Sequence, residues 1–286
     1  FNSLAVAYTN LGWMQRLRGE DPRESLRKGI EAVDQAISMS PDYLTALNSR
    51  GLALWELAEY AAATGADPLS DFQRAEEAFG RMIALDPSRM VAHTNSAGVL
   101  LGKARWQLLQ GIDPGASLAA VEVHLAAARE RSFWDFNLDT AEVELVRAAW
   151  VGRSGGQGAD AHLEKARHYA TVLVGLAPDE PSGEMLLAEV ERSWVEMELG
   201  AGPNDRRAID VACRRGLEHA ARALAISPKL ARAHAVRAVL LAAQAELARD
   251  PEHRRDLAAR AREAARAAVA AEPLLRDEVV HRLAAT

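Results

Sequence analysis

Small and apolar residues recur at i, i+4 and i+7 in six stretches of the chain, a spacing that puts each trio on one face of an α-helix. The trios are Gly29, Val33 and Ala36; Ala75, Phe79 and Met82; Val121, Leu125 and Ala128; Ala166, Ala170 and Leu173; Gly216, Ala220 and Ala223; and Ala261, Ala265 and Ala268. Five of the six run into a proline stop, at Pro41, Pro87, Pro178, Pro228 and Pro273. A second kind of stop, Gly-x-Asp-Pro, precedes the first three trios and ends at Pro22, Pro68 and Pro114, a spacing of 46 residues twice over. Glycine can end a helix in the left-handed conformation, aspartate can cap the next one by accepting backbone N–H bonds, and proline is tolerated at the first helical position. Two stops per period predict two helices per repeat.

Composition agrees with helix. Alanine makes up roughly a fifth of the 286 residues and aromatics 5%, the profile of a helical protein soluble in water. Length alone suggests two domains, but a repeat array has no single core. The one cysteine, Cys213, excludes an intramolecular disulfide and any multi-cysteine metal site and leaves the redox compartment open. No apolar run approaches the roughly 20 residues that span a bilayer. The chain opens at Phe1 inside a helical pattern, which reads as a fragment of a longer protein.

The segments YTNLGWM (8–14), ALNSRGLAL (46–54) and AHTNSAGVL (92–100), each followed by a helix ending as AISMSP, MIALDP or ALAISP do, resemble tetratricopeptide repeats. In that family a small residue in the first helix lets its partner approach closely; Gly12, Gly51 and Gly98 look like that position, with Ala188 and Ala238 as later equivalents. Repeat four departs, because its proline stop is replaced around Phe133 and its first helix lacks a clear glycine. The extra length of this period lies in the first helices, where Trp55, Trp106, Trp150 and Trp194 fall and are expected to pack between helices. The phrase GxDPxxSLxKGIxxxxxAIxxSPxY at 19–43 looks like the arrays C-terminal to bacterial serine/threonine protein kinases, although no kinase signature is present. Such a parent would carry its catalytic domain before Phe1.

The resemblance implies that residues three before, one after and four after the small position line a concave groove. That gives Thr9, Trp13 and Arg16; Asn48, Leu52 and Trp55; Asn95, Val99 and Gly102; and Met185, Glu189 and Arg192. An asparagine amide both donates and accepts, so Asn48 and Asn95 either grip a peptide backbone or bond within the helices. The Lys/Asn/Arg clamp for a C-terminal carboxylate is not matched.

Catalytic chemistry is hard to find. No histidines stand at i, i+4 to make a metal face, and GGQG at 155–158 lacks a following Lys-Ser/Thr and reads as a turn. Cys213 is expected to be buried despite flanking Arg214 and Arg215. Glu189, Glu191, Glu196 and Glu198 read as a solvated acidic ridge, and SFWDF at 132–136 as either a docking patch or a local plug. Residues 201–286 hold 16 Lys/Arg against 11 Asp/Glu, leaving 18 against 29 in residues 1–200. That acidic front disfavours nucleic acid.

The expectation is an all-α, right-handed α-solenoid of about six long helix pairs (1–41, 42–87, 88–133, 134–178, 179–228 and 229–273), closed by a capping helix at 274–286 carrying Leu275, Val279 and Leu283. It is expected to be a noncatalytic scaffold without cofactor or metal. It would bind a protein or peptide, without nucleic acid or membrane insertion, in a cytoplasmic setting; self-association is the alternative.

Overall fold

The structure, a computed structural model, describes residues 1–129, 133–202, 205–276, 279 and 283. Twelve α-helices and no strand are found among the described residues. The chain folds as two compact units, Phe1–Asp139 and Thr140–Thr286.

Unit 1 contains α1 (Asn2–Leu17), α2 (Arg23–Met39), α3 (Leu44–Ala63), α4 (Leu69–Leu85), α5 (Met90–Leu109) and α6 (Gly115–Ala128). The next helix, α7 (Phe133–Arg153), crosses the division. Unit 2 continues with α8 (Ala159–Leu176), α9 (Pro181–Gly200), α10 (Arg206–Ile226), α11 (Ala231–Leu247) and α12 (Pro251–Ala271), then a 3-10 turn at Pro273–Leu275. Consecutive helices pack on one another from α1 to α6 and from α8 to α12, and first helices also touch, as α1 does α3, α3 does α5 and α9 does α11. Each unit is thus a stack of tetratricopeptide-like helix pairs.

The stops act largely as their chemistry dictates. Gly19, Gly65 and Gly111 have φ of 72°, 76° and 71°, a conformation that strains any residue with a Cβ. The aspartates of the same motifs accept the backbone N–H two residues on, Asp21 from Arg23 at 3.0 Å, Asp67 from Leu69 at 3.0 Å and Asp113 from Gly115 at 2.8 Å. Proline stands one place earlier than expected, as the N-cap residue before each helix. GGQG forms the α7–α8 turn, with Gly155 and Gly158 both at positive φ.

The first five trios are buried stripes of the second helices, and in the sixth Ala264 takes the buried place expected for Ala265, between Ala261 and Ala268. Val33, Phe79, Leu125, Ala170 and Ala220 are all nearly inaccessible. In unit 1 Phe72 and Phe79 anchor an apolar cluster with Leu26, Leu54 and Met82, and Trp55 and Trp106 pack against its edge. Trp194 packs likewise in unit 2. At the end of the chain Val279 is buried and helical; the intervening residues of the expected capping helix lie outside the described ones.

Candidate functional site

Each of the three glycines expected at the small position does lie close against a side chain of a neighbouring helix, but the three do not share one place in the repeat. A methyl group added at Gly12 would strike Leu26 of α2, one at Gly51 would strike Phe79 of α4, and one at Gly98 would strike the Trp55 ring of α3. At the 46-residue offset Gly12 matches Ala58 and Gly98 matches Leu52, so the three glycines fall at three different repeat positions. The 46-residue period instead equates Ala5, Gly51 and Ala97, all buried, and Ala5 packs with Val33 much as Gly51 meets Phe79.

This register explains where the expected groove residues lie. Thr9 is buried, not presented to a groove: its hydroxyl donates to the Ala5 carbonyl at 2.9 Å and faces Gly29 of α2. Arg16 Nε donates to Glu56 of α3 at 2.8 Å. Trp55 lies over Gly98 while its Nε1–H donates to Glu59 at 2.9 Å. Asn48 and Asn95 are brought together, with Asn95 Nδ2 donating to Asn48 Oδ1 at 2.9 Å between α3 and α5. Trp13 is exposed, Leu52 is half-buried, and Val99, Gly102 and Met185 are buried.

Glu189 and Arg192 are also brought together. Arg192 donates to Glu189 at 2.7 Å and to Glu196, and Arg232 of α11 joins Glu189 to Glu142 of α7. Burial pulls the Arg192 pKa down, but the facing Glu189 and Glu196 charges outweigh it and keep the guanidinium protonated. The acidic ridge expected on α9 is thus partly interior. Glu191 is 1% exposed because Arg167 of α8 and Arg215 of α10 reach it from both sides. Glu184 accepts from His219 at 2.7 Å and Arg222 at 2.9 Å, and Glu144 pairs with His162. Periodicity does not mark these carboxylates; each needs a cation from a neighbouring helix to be legible.

In unit 1 a cleft of about 410 Å³ lies between α2, the second half of α3 and the start of α4. Ile30, Leu57 and Ala61 give it apolar lining, and Arg23, Arg27, Tyr60 and Arg74 add polar groups. Arg23 lies 5.8 Å above the Tyr60 ring while its side-chain bonds to Asp21 hold that carboxyl down at about 2. Arg74 donates to Asp71 at 3.1 Å. Arg27 makes no hydrogen bond or ion pair with any described residue, and the Tyr60 hydroxyl has no hydrogen-bond partner among them.

Where α5 meets α6, His93 and His124 face each other with Nδ1 atoms 3.1 Å apart. His93 Nε2 lies 3.1 Å from the Pro87 carbonyl, which can only accept. Bonding therefore assigns the hydrogen of neutral His93 to Nε2 and makes His124 Nδ1–H the donor between the rings. In the SFWDF segment, Phe136 sits beneath the Arg129 guanidinium at 5.1 Å; Ser132 and the side chains of Phe133 and Trp134 lie outside the described residues.

Burial, with Asp210 and Glu191 nearby, pushes the Cys213 thiol up to about 12, so it is no nucleophile at neutral pH. Among the described residues no group of three or more His, Cys, Asp or Glu is placed to hold a metal ion, and no helix is long and apolar enough to cross a membrane.

No family model matches the sequence, and no curated protein matches it either. Solved structures do. The fold is similar to that of IFIT1. A monomeric IFIT1 mutant with Gppp-AAAA aligns at TM-score 0.56 and 13% identity, over 89% of this chain and 48% of that one. The human IFIT1 dimer with m7Gppp-AAAA aligns at TM-score 0.52 and 13% identity, over 91% and 58%. The chain thus spans about half the length of these proteins, and at such identity the likeness concerns the fold alone.

Proposed function

We propose that this chain is a noncatalytic scaffold that binds a segment of a partner protein, and that it forms the repeat region of a bacterial serine/threonine protein kinase. The observation that carries the scaffold reading is the α2–α3–α4 cleft. Its walls are helices fixed by their own hairpins, so a partner is ordered on binding while the scaffold loses little freedom. The kinase part rests on the wording of residues 19–43, and recovery of a full-length gene without a kinase domain refutes it. The IFIT1 structures hold Gppp-AAAA and m7Gppp-AAAA; the excess of acidic residues in 1–200 argues against such a polyanion here.

A photo-crosslinking residue placed at Thr64, on the cleft, tests the reading against the same residue at exposed Glu122. Specific adducts are expected from the first position alone, and equal labelling from both refutes the cleft as the contact. The Asn48–Asn95 pair is proposed as a second contact that exchanges its mutual bond for a peptide backbone. Asn48→Ala with Asn95→Ala is expected to lower capture of the crosslinked partner several-fold with helicity unchanged by circular dichroism; unchanged capture removes the pair from the site.

Exposed Leu4, Leu11 and Trp13 on α1, with Phe1 just before it, favour one other reading, self-association through that helix. Sedimentation that reports a strict monomer at high concentration rejects it.

A further inference from the structure

The repeat supplies its own control for the α2–α3–α4 cleft. Forty-six residues on, the equivalent interval between α4, α5 and α6 is bridged by two side-chain pairs: Lys103 donates to Glu76 at 2.9 Å, and Ser117 to Gln107 at 2.8 Å. At the matching places the first interval has Leu57 facing Ile30 and Ala61 beside Asp71. Leucine and alanine are too short or too apolar to form those bridges, so the space stays open. The basic residues follow the same division. Arg23, Arg27 and Arg74 are replaced at the 46-residue offset by Leu69, Gln73 and Ala120. The unbridged lining and its arginines therefore set this interval apart from the one that follows and are not by-products of the repeat.

We infer that this cleft holds a single oxyanion carried on an apolar stem, a phosphate or carboxylate on a side chain of an extended partner polypeptide; this deepens, and rests on, the scaffold reading above. The stem lies on Ile30, Leu57 and Ala61, beside the Tyr60 ring. The oxyanion meets Arg27, whose guanidinium is uncommitted, with the Tyr60 hydroxyl as a neutral donor. Arg23 and Arg74 stand on the walls already paired with Asp21 and Asp71 and add charge without a free fork. Asp71 and Glu31 on the lining set the upper limit. With Asp21, which pairs with Arg23, three carboxylates balance the three guanidinium groups, so the cleft has no net positive charge to draw in a polyanion, and a single anionic group is held by Arg27.

The test uses fluorescein-labelled Gly-Gly-X-Gly-Gly peptides with X as phosphotyrosine, phosphoserine, glutamate or tyrosine, titrated with the intact protein and read by fluorescence anisotropy. At least one anionic peptide is expected to bind about tenfold or more tightly than the tyrosine peptide, the preference expected of a charge-assisted contact. The ranking of the three anionic arms identifies the oxyanion and its stem, and inorganic phosphate at millimolar concentration competes if the phosphate dominates. Arg27→Gln, an exposed change on α2, is expected to erase the preference, while Lys28→Gln next to it leaves it intact. Ala61→Gln, which copies the bridged interval, is expected to abolish binding of every peptide at unchanged helicity. If all peptides bind equally and Ala61→Gln removes them all, the scaffold reading stands and the oxyanion assignment is overturned. Binding indifferent to Arg27→Gln, or absent from the wild-type protein, overturns the inference as well, and the crosslinking at Thr64 then decides the scaffold reading separately.

Discussion

Unit 1 and unit 2 build the same helix pairs with different interface chemistry. Unit 1 joins its helices through large apolar side chains set against small ones, as Phe79 is on Gly51 and Trp55 on Gly98. Unit 2, richer in alanine along its second helices, joins its helices through buried or half-buried carboxylates and their cations: Glu191 with Arg167 and Arg215, Glu184 with His219 and Arg222, Glu144 with His162. A small residue on the second helix leaves volume that a long charged pair can occupy, provided the pair is complete. Helix-pair geometry is therefore compatible with either solution, while the response to mutation and to pH differs between them.

The largest expected effect falls on the apolar side. Phe79→Ala removes a fully buried ring and is expected to cost about 3–5 kcal/mol. Hydrogen exchange of individual peptides should show faster exchange in α3 and α4 with unit 2 unchanged; an equal rise in both units would mean that the two do not open separately. Next comes Glu191→Gln. A lost buried partner costs about 3–5 kcal/mol when the remaining charge is trapped, but the Arg215 side chain is 54% exposed and can turn to water, so about 2–3 kcal/mol is expected. The exchange increase should be confined to α8, α9 and α10, and no change would show that the ion triad is dispensable.

The smallest effect is a pH window that separates the units. Burial, and the facing His93, push the His124 pKa below its ordinary 6.5. The unfolded chain then binds that proton more readily, so the stability His124 gives α5–α6 is complete above about pH 6.5 and is lost as pH falls below it. Burial raises the Glu184 pKa, but bonds and charge from His219 and Arg222 outweigh burial and leave it below its ordinary 4.5. Its contribution is intact above about pH 4.5 and is lost as pH falls through the lower folded value. Protection factors, with the base-catalysed intrinsic rate divided out, should therefore drop in α6 before α10 as pH falls from 7, and the reverse order would contradict the assignment.

Helices and stops are legible in the sequence because their chemistry is local. Gly19, Gly65 and Gly111 need positive φ, and Asp21, Asp67 and Asp113 need only reach two residues along the chain. Register is less legible. Gly12 is the natural match for Gly51 by residue type, yet Ala5 holds that place, since alanine suffices where the facing side chain is Val33 rather than Phe79. Matching by residue type therefore carries Thr9 from the interior onto an expected groove. The cleft escapes for another reason. Its signal is a difference between repeats, Leu57 for Lys103 and Ala61 for Gln107, whereas a search for repeats rewards sameness. Glu191 is expected on the surface because a carboxylate is exposed by default, and its two arginines, each 24 residues away, belong to other helices.

Cys213 gives unit 2 a built-in clock. The thiol is wholly enclosed in the α9–α10 core and held in its unreactive protonated form, so an alkylating reagent can reach it only while that core is open. With reagent in excess, the rate of mass gain on this one residue counts openings, and no label or engineered site is needed. The same residue that offers no chemistry to a substrate thus reports, in real time, how often the neighbourhood of Glu191 comes apart.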